Sequence, residues 1–383
     1  MKLSRSLKIA AAAAAVTLFA AQPAFAGITI TGSGSTFASP LIAACAPGWQ
    51  SATGYTVNYL GGGSGGGRKN ADAGINDFNF SDASYTPAKS TILHIPVVAA
   101  PVAIAYNLNG VSGDLYLSQQ TLSDIFAGKI TKWNDPAIVA DNSKSVSKST
   151  IVYKKDAKGA IVKDKKTKKP VVLKTDTTSS STPTLTLPNQ PINVVYRADS
   201  SGTTQNLVNM FIAQFPSTWT KTSSGAFSSV FPGSAVPLSW SSASGSAGVS
   251  ALAASTPYSI TYVESSFASA SKLGLARIKN ASGNFQGPTA GGTAAFLNAA
   301  TATSTGVLTF DYNTKDPGAY VLGIVSYALV NTSVTGAYAS ATTSFIKYLL
   351  TDACVNKNPS LEYSSISGAL LAVDNSLIAK LPS

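Results

Sequence analysis

Three short runs of glycine, serine and threonine, each set directly after a β-branched stretch, are the residues of this sequence best suited to chemistry. Gly32-Ser33-Gly34-Ser35-Thr36-Phe37 follows Ile28-Thr29-Ile30-Thr31, and Gly61-Gly62-Gly63-Ser64-Gly65-Gly66-Gly67 follows the run from Tyr55 to Leu60. Arg197-Ala198-Asp199-Ser200-Ser201-Gly202-Thr203 follows Ile192-Asn193-Val194-Val195-Tyr196. Such runs suit oxyanion binding. Glycine lets the backbone approach a ligand, unpaired N–H groups at a helix N-terminus point at it, and hydroxyls add donors without adding charge. Arg197 brings a planar fork that matches two oxygens, and Asp199 can hold that fork in place. Asp82 brings the opposite property. It accepts a proton from an anion that still carries one at neutral pH, but meets a fully ionised anion with like charge and no donor, which favours phosphate over sulfate.

Taken singly, each of these residues has a plainer reading. Arg197 with Asp199 reads as a surface ion pair, Thr36 as a capping residue, Ser64 as a turn residue and Asp82 as a helix cap. Two catalytic patterns also match by spacing. Gly62-Gly63-Ser64-Gly65-Gly66 satisfies the Gly-x-Ser-x-Gly elbow of serine hydrolases, but a glycine run satisfies it almost automatically. The only histidine, His94, lies in an apolar strand-like stretch and ahead of the expected acid partner, where a core position fits it better than a base. Gly61-x-Gly63-x-x-Gly66 with Asp82 further on resembles a dinucleotide fingerprint, yet Arg68-Lys69-Asn70 and the short segment to Asp77 leave little room for the apolar helix it requires. Two cysteines and one histidine are too few for a zinc centre, and no cofactor is expected. A surface or adhesive protein, suggested by the Ser/Thr-rich stretches, is the remaining rival class.

Strand, Gly/Ser loop and helix recur, with Ser39-Pro40 as cap and first-turn proline of one helix and Leu207, Met210, Phe211 and Phe215 at helical spacing in another. The expected fold is α/β, with loops gathered at the C-terminal ends of the strands. A chain of 383 residues exceeds what one compact core holds, so two lobes are expected. Lys2, Arg5 and Lys8 ahead of the apolar run Ile9 to Ala21, then Ala24-Phe25-Ala26, read as a cleavable export leader over residues 1–26. A soluble exported, periplasmic or secreted protein follows.

The net charge of +11 looks at first like a nucleic-acid signal. Lys144 to Asp176, however, holds eleven Lys and three Asp, and beyond that segment and the leader fourteen basic residues face fourteen acidic ones. The global case for nucleic acid therefore fails. The Lys-rich excursion, residues 140–188, reads as a solvated surface feature with Ile151-Val152-Tyr153 and Val171-Val172-Leu173 flanking a projecting β-hairpin. The sharper alternative is a docking arm for an anionic surface. Cys45 and Cys354 are either one disulfide tying the ends of the chain together or two buried free thiols. Trp133 reads as a packing residue.

Several separated segments together resemble the phosphate-specific substrate-binding proteins of bacterial ABC transporters, including the DING-type phosphate binders. Gly32-Ser33-Gly34-Ser35-Thr36-Phe37 is similar to that family's Gly-x-Gly-x-Thr-Phe loop, and Gly63-Ser64-Gly65-Gly66 to its Gly-Ser-Ser-Gly loop, with Gly65 in place of the second Ser. Asp77-Phe78-Asn79-Phe80-Ser81-Asp82 resembles its Asp-Phe-x-x-Ser-Asp segment, and Leu122 to Ile130 with Trp133-Asn134-Asp135 its Leu-x-x-Ile-Phe-x-Gly-x-Ile and Trp-Asn-Asp signature. Arg197 to Thr203 is similar to its Arg-Ala-Asp-x-Ser-Gly-Thr loop. The final third matches only loosely, through Gly248-Val249 and Ile260-Thr261-Tyr262-Val263-Glu264.

The resemblance implies a type II periplasmic binding fold, two α/β lobes around a cleft joined by two crossing strands. Lobe one would take residues 27–99 and 322–383, and lobe two residues 100–321. It implies a monomeric, non-enzymatic receptor that binds inorganic phosphate and hands it to the membrane permease by hinge closure. Thr36, the Phe37 N–H and Ser64 would bind phosphate oxygens, Asp82 would accept the ligand proton, and Arg197, oriented by Asp199, would pair with the anion. Ser201, Gly202 and Thr203 would donate from the start of a helix. A receptor for sulfate or arsenate, or a surface or secreted phosphate binder outside transport, is the alternative.

Overall fold

The structure is a computed structural model, and it describes residues 27–111, 113–159 and 161–382. The expected leader lies outside the described residues. The chain opens with β1 (Thr29–Gly34), α1 (Ser39–Thr53), β2 (Thr56–Gly61), α2 (Ser64–Ala73) and β3 (Phe78–Ser81). Both β2 and β3 run parallel to β1, one on each side, so α1 and α2 are crossovers. On α1 the residues Leu41, Ile42, Cys45 and Trp49 are buried, a single apolar stripe at helical spacing. The helix begins at Ser39 with Pro40 in its first turn, but Ser39 does not cap it. Ser35, one turn earlier, accepts the Ala38 N–H on its hydroxyl at 3.0 Å. The glycine run also differs from a simple loop, because Ser64 to Gly67 form the first turn of α2.

β4 (Ile92–Asn107) is buried along its length up to the last residue, as its near-continuous apolar sequence requires of a strand covered on both faces. After it come β5 (Tyr116–Leu117), α3 (Gln119–Phe126), α4 (Pro136–Asp141), β6 (Ser143–Tyr153), β7 (Val172–Pro183), β8 (Asn193–Arg197) and α5 (Gly202–Gln214). Then follow α6 (Phe227–Val230), β9 (Ser241–Ala243), α7 (Gly245–Ser255) and β10 (Ser259–Glu264). A later strand, Gly323–Asn331, returns to the first group and is called the return strand here. The strand order is β2, β1, β3, return strand, β4, β10, β8, β9.

Two prolines explain how β4 serves both groups. From Ile92 to Pro101 it pairs antiparallel with the return strand, and from Val102 to Asn107 with β10. Pro101 has no N–H, so the ladder bond it cannot donate falls where the partner changes. At Pro96 the register slips: Ser326 stands opposite Val98 but Tyr327 opposite Pro96, a bulge that re-aims the neighbouring side chains. β4 and the return strand are thus the two crossing strands of a two-lobed α/β fold.

β6 and β7 form an antiparallel hairpin from the Ser143–Pro183 pair to the Tyr153–Val172 pair. It includes Ile151-Val152-Tyr153 and, of the second expected flank, Val172 and Leu173 but not Val171, and it extends further, taking the Ser/Thr-rich stretch into β7. Trp133 is buried and its indole N–H donates to the Tyr258 carbonyl at 2.9 Å, a packing role. Cys45 and Cys354 form a disulfide with Cα atoms 5.2 Å apart, the first of the two sequence readings. It ties α1 to the segment after the helix Ala337–Leu349, beside the contact of Trp49 with Phe345 at 5.0 Å between ring centres. No helix among the described residues is long and apolar enough to cross a membrane.

Candidate functional site

The loops after β1, β3 and β8 and the first turns of α2, α5 and α7 meet between the two strand groups. The loops after β1 and β8 and the turns that open α2 and α7 lead from strand to helix, so they present unpaired amides and short hydroxyl side chains, whereas the loop after β3 leads on to β4 and brings Asp82 to them. Arg197, the last residue of β8, is 3% exposed. Its Nε and Nη2 donate to the two oxygens of Asp199 at 2.7 and 2.5 Å, a bidentate pair that fixes the plane of the guanidinium. The remaining edge faces Ser246 Oγ at 3.4 Å and, from the other strand group, Thr36 Oγ1 at 3.3 Å. Asp199 is held in turn by the Gly245 N–H at 2.9 Å. Burial opposes the charge on Arg197, but the bonded Asp199 carboxylate outweighs it and raises the guanidinium pKa above its ordinary value. Asp199 is likewise penalised by burial, yet Arg197 holds it below the usual carboxylate range.

Asp82, directly after β3, is 3% exposed, and its side chain is ringed by hydroxyls. Ser35 and Ser326 donate to Oδ1 at 2.5 and 2.7 Å, and Ser64 donates to Oδ2 at 3.0 Å. Ser64 also accepts the Asp82 N–H at 3.0 Å. Burial pushes the carboxyl pKa up, while the three hydroxyls and the Arg197 charge oppose it. The result is a carboxylate more basic than usual, with lone-pair capacity left on Oδ2.

The two groups touch across this cluster. Asn206 on α5 donates to the Asp82 carbonyl at 2.5 Å, the Gly65 N–H donates to the Ser200 carbonyl at 2.9 Å, and Arg68 bonds Gln205 at 2.7 Å. Gly202 lies so close that a Cβ there would stand 2.6 Å from Ser64 Oγ and 2.8 Å from Asp82 Cβ. At the start of α5, Ser201 accepts the Thr204 N–H on its hydroxyl oxygen at 3.2 Å, which leaves its own O–H to be donated elsewhere. Its N–H is taken by the Gly225 carbonyl at 3.0 Å. Gly202 and Thr203 supply first-turn amides, which have no intrahelical acceptor. Thr203 also donates its hydroxyl to Glu264 Oε1 at 3.0 Å. Phe37 is buried with its ring edge-on to Tyr363 at 5.3 Å, and its carbonyl accepts the Tyr363 hydroxyl, so the backbone beside Thr36 is fixed.

Thr36, Phe37, Ser64, Asp82, Arg197, Asp199, Ser201, Gly202 and Thr203 therefore gather in one buried, polar cluster. Four further residues belong to it. Ser35 and Glu264 lie within sequence segments already singled out, and their types, a loop hydroxyl and an acid at a strand end, were the signal. Glu264 is buried, its pKa raised by burial against the pull of Arg197, and its Oε2 has no hydrogen-bond partner among the described residues. Ser246 is hidden in the repetitive run Ser242 to Ser246, and Ser326 is a lone hydroxyl in the apolar return strand. No group of three or more metal-ligating side chains occurs among the described residues. His94 lies apart from this chemistry. It is buried against Tyr85 and Tyr327, its Nε2 accepts the Tyr85 N–H at 3.4 Å, and burial with the nearby Arg68 charge lowers its pKa to about 4.

Comparison with known proteins points the same way. Residues 20–353 match the family described as PBP superfamily domain. Phosphate-binding protein PstS3 of Mycobacterium bovis is 33% identical over 297 residues, which are 73% of this chain and 67% of that protein. Phosphate-binding protein PstS of Pasteurella multocida is 32% identical over 266 residues, 68% of this chain and 64% of that protein. Among solved structures, the high-affinity periplasmic phosphate-binding protein PfluDING, bound with phosphate, superposes with a TM-score of 0.61 at 21% identity, covering 92% of this chain and 93% of that one. An ABC-type phosphate transport receptor from Vibrio cholerae superposes at 0.51 and 16% identity, covering 88% of this chain and 100% of that one. These structural likenesses carry the type II periplasmic binding fold.

Proposed function

We propose, since this chain belongs to the PBP superfamily and within it to the PstS phosphate-binding proteins, that it binds one inorganic phosphate between its lobes and delivers it to an ABC permease. The observation that carries this reading is the facing of two opposite chemistries in one enclosed cluster. Arg197, locked by Asp199, presents positive charge and N–H donors, while Asp82 presents a basic carboxylate oxygen. Thr36 Oγ1, the Phe37 N–H, Ser201 Oγ and the Gly202 and Thr203 amides are the further donors to phosphate oxygens, and Ser64 Oγ joins them when its hydroxyl turns from Asp82 Oδ2 to the ligand. Asp82 accepts the proton that phosphate retains at neutral pH, and sulfate, having none, is repelled. This favours phosphate over a fully ionised oxyanion such as sulfate, and nothing in the cluster favours a receptor role for sulfate.

Donors come from both strand groups, so the closed arrangement is the one phosphate stabilises, and the permease reads closure. Lobe one takes residues 27–99 and 322–383, and lobe two residues 100–321, with the chain crossing on β4 and the return strand. The protein acts outside the cytoplasm, exported by its leader to the periplasm, as a monomer and not as an enzyme. His94, held away from Ser64 among aromatic rings with a depressed pKa, supplies no general base for hydrolysis. Calorimetric titration of phosphate-stripped protein tests the reading. One phosphate should bind per chain, sulfate should fail to compete, and Arg197→Ala should abolish the heat. Equal binding of sulfate, or an unchanged Arg197→Ala titration, would overturn it.

A further inference from the structure

We propose that the β6–β7 hairpin docks this protein onto an anionic phospholipid surface, a role separate from phosphate binding. Eleven Lys against three Asp between Lys144 and Asp176 set a net charge of +8 on one projection, while the chain outside it and the leader balances to zero. The projection is built rather than loose. Strand pairing runs from Ser143 to Tyr153, and beyond it the Lys155–Ile161 and Lys163–Pro170 bridges continue the pairing toward the tip. Two turns close the tip. In one the Gly159 N–H bonds the Asp156 carbonyl at 3.0 Å; in the other the Lys168 N–H bonds the Asp164 carbonyl at 2.9 Å. Asp164 also takes the Lys166 and Thr167 amides on its side chain, so it organises the turn that displays Lys163, Lys165, Lys166, Lys168 and Lys169. Eleven residues of β6 at about 3.4 Å each carry this tip roughly 35 Å beyond Ser143.

What favours lipid over a soluble polyanion is the company the lysines keep. Every described residue from Lys154 to Lys174 is exposed except Val162 and Val171, which are half-buried. Within that stretch Ile161, Val172 and Leu173 are 45%, 50% and 62% exposed. Apolar side chains among lysines gain nothing from a polyphosphate or nucleic-acid chain, but they suit the boundary of headgroups and acyl chains, where lysine stems also lie well. From Lys144 to Asp176 there is no Arg, and Tyr153 is the only aromatic residue, so the guanidinium forks and stacking faces that read nucleic acid are missing. Each lysine near an anionic membrane is worth about fivefold in binding.

The test is co-sedimentation of the purified protein with vesicles of phosphatidylcholine alone or with about one third phosphatidylglycerol, at low and high salt, beside binding of inorganic polyphosphate. The wild type should prefer the anionic vesicles by more than ~100-fold and lose that preference in high salt. Replacing Lys163, Lys165, Lys166, Lys168 and Lys169 by Gln should cost at least ~100-fold. The triple change Ile161→Ser, Val172→Ser, Leu173→Ser should cost about tenfold on vesicles and nothing on polyphosphate. Equal binding to both vesicle types, binding to neither, or a triple variant that still binds anionic vesicles like the wild type would overturn the proposal. All these variants should keep the wild-type phosphate titration, so failure here is distinguishable from failure of the phosphate reading.

Discussion

At the scale of single residues, the proposed reading gives selectivity to Asp82, while His94 bears on behaviour in acid. Asn at position 82 keeps an oxygen for Ser35 and Ser326 but replaces the proton acceptor at Oδ2 with a donor. Phosphate then loses its acceptor and sulfate loses its repulsion. Asp82→Asn should shrink the preference for phosphate over sulfate by roughly tenfold to a hundredfold, more than it weakens phosphate itself, and competition calorimetry reads both. Equal losses for both anions would exclude the proton-reading role. His94 acts on stability instead. Its folded pKa of about 4 lies below the ordinary 6.5, so above pH 6.5 it is neutral in both states and contributes no pH dependence. Between pH 6.5 and 4 the unfolded chain binds a proton that the native state refuses, and stability falls by up to roughly 3 kcal/mol. The buried acids Asp82 and Glu264, with raised pKa values, push the other way as they protonate, so the histidine must be isolated by comparison. His94→Gln should lower Tm at pH 7 but close most of its gap to wild type at pH 4.5. A gap of constant size would mean that His94 does not titrate as described.

At the scale of elements, the close fit of α2 against the loop that opens α5 explains the one departure from the family's loop pattern. A Cβ on Gly65 would stand 2.4 Å from both the Cβ and the Oγ of Ser200, whose carbonyl accepts the Gly65 N–H. Ser at 65, the family's residue, therefore needs a smaller neighbour. Gly65→Ser alone should weaken phosphate binding by about tenfold, through a cross-lobe contact held open, and Ser200→Gly added to it should restore most of the loss. Independent, additive effects would refute that coupling. The strand–loop–helix turns and their site residues were legible because the chemistry of an anion-binding turn is local: Gly, hydroxyl and helix start lie within seven residues. The start of α2 was not, since a run of glycines carries no helical periodicity and its helix depends on packing against β3. Ser326 was invisible for a related reason. Its role arises from a bulge opposite Pro96, a pairing between strands more than two hundred residues apart in sequence.

At the scale of the whole molecule, the strand group of β1, β2 and β3 is completed by the return strand from late in the chain, and a unit built that way needs something to hold its distant parts together. Hydrophobic packing does part of this, with Trp49 of α1 against Phe345 of the helix Ala337–Leu349. The disulfide does the rest, because Cys45 and Cys354 lie 309 residues apart and their bond constrains almost the entire unfolded chain. Cross-links that close long loops remove the most entropy from the unfolded state, which here predicts a loss of roughly 2–5 kcal/mol when the bond is removed. The bond lies on the stripe of α1 that faces the C-terminal helices, whereas the proposed donors nearest to α1, Thr36 and the Phe37 N–H, lie in the loop before it. A Cys45→Ala, Cys354→Ala protein should therefore melt at lower temperature and unfold in less denaturant, while its calorimetric phosphate affinity stays within about twofold of wild type. Saturating phosphate, which binds across both lobes, should recover part of the lost stability, about 2.7 kcal/mol at a hundredfold excess over Kd. Were affinity to fall in step with stability, the disulfide would be shaping the cleft itself, and the separation of scaffold from site argued for lobe one would fail.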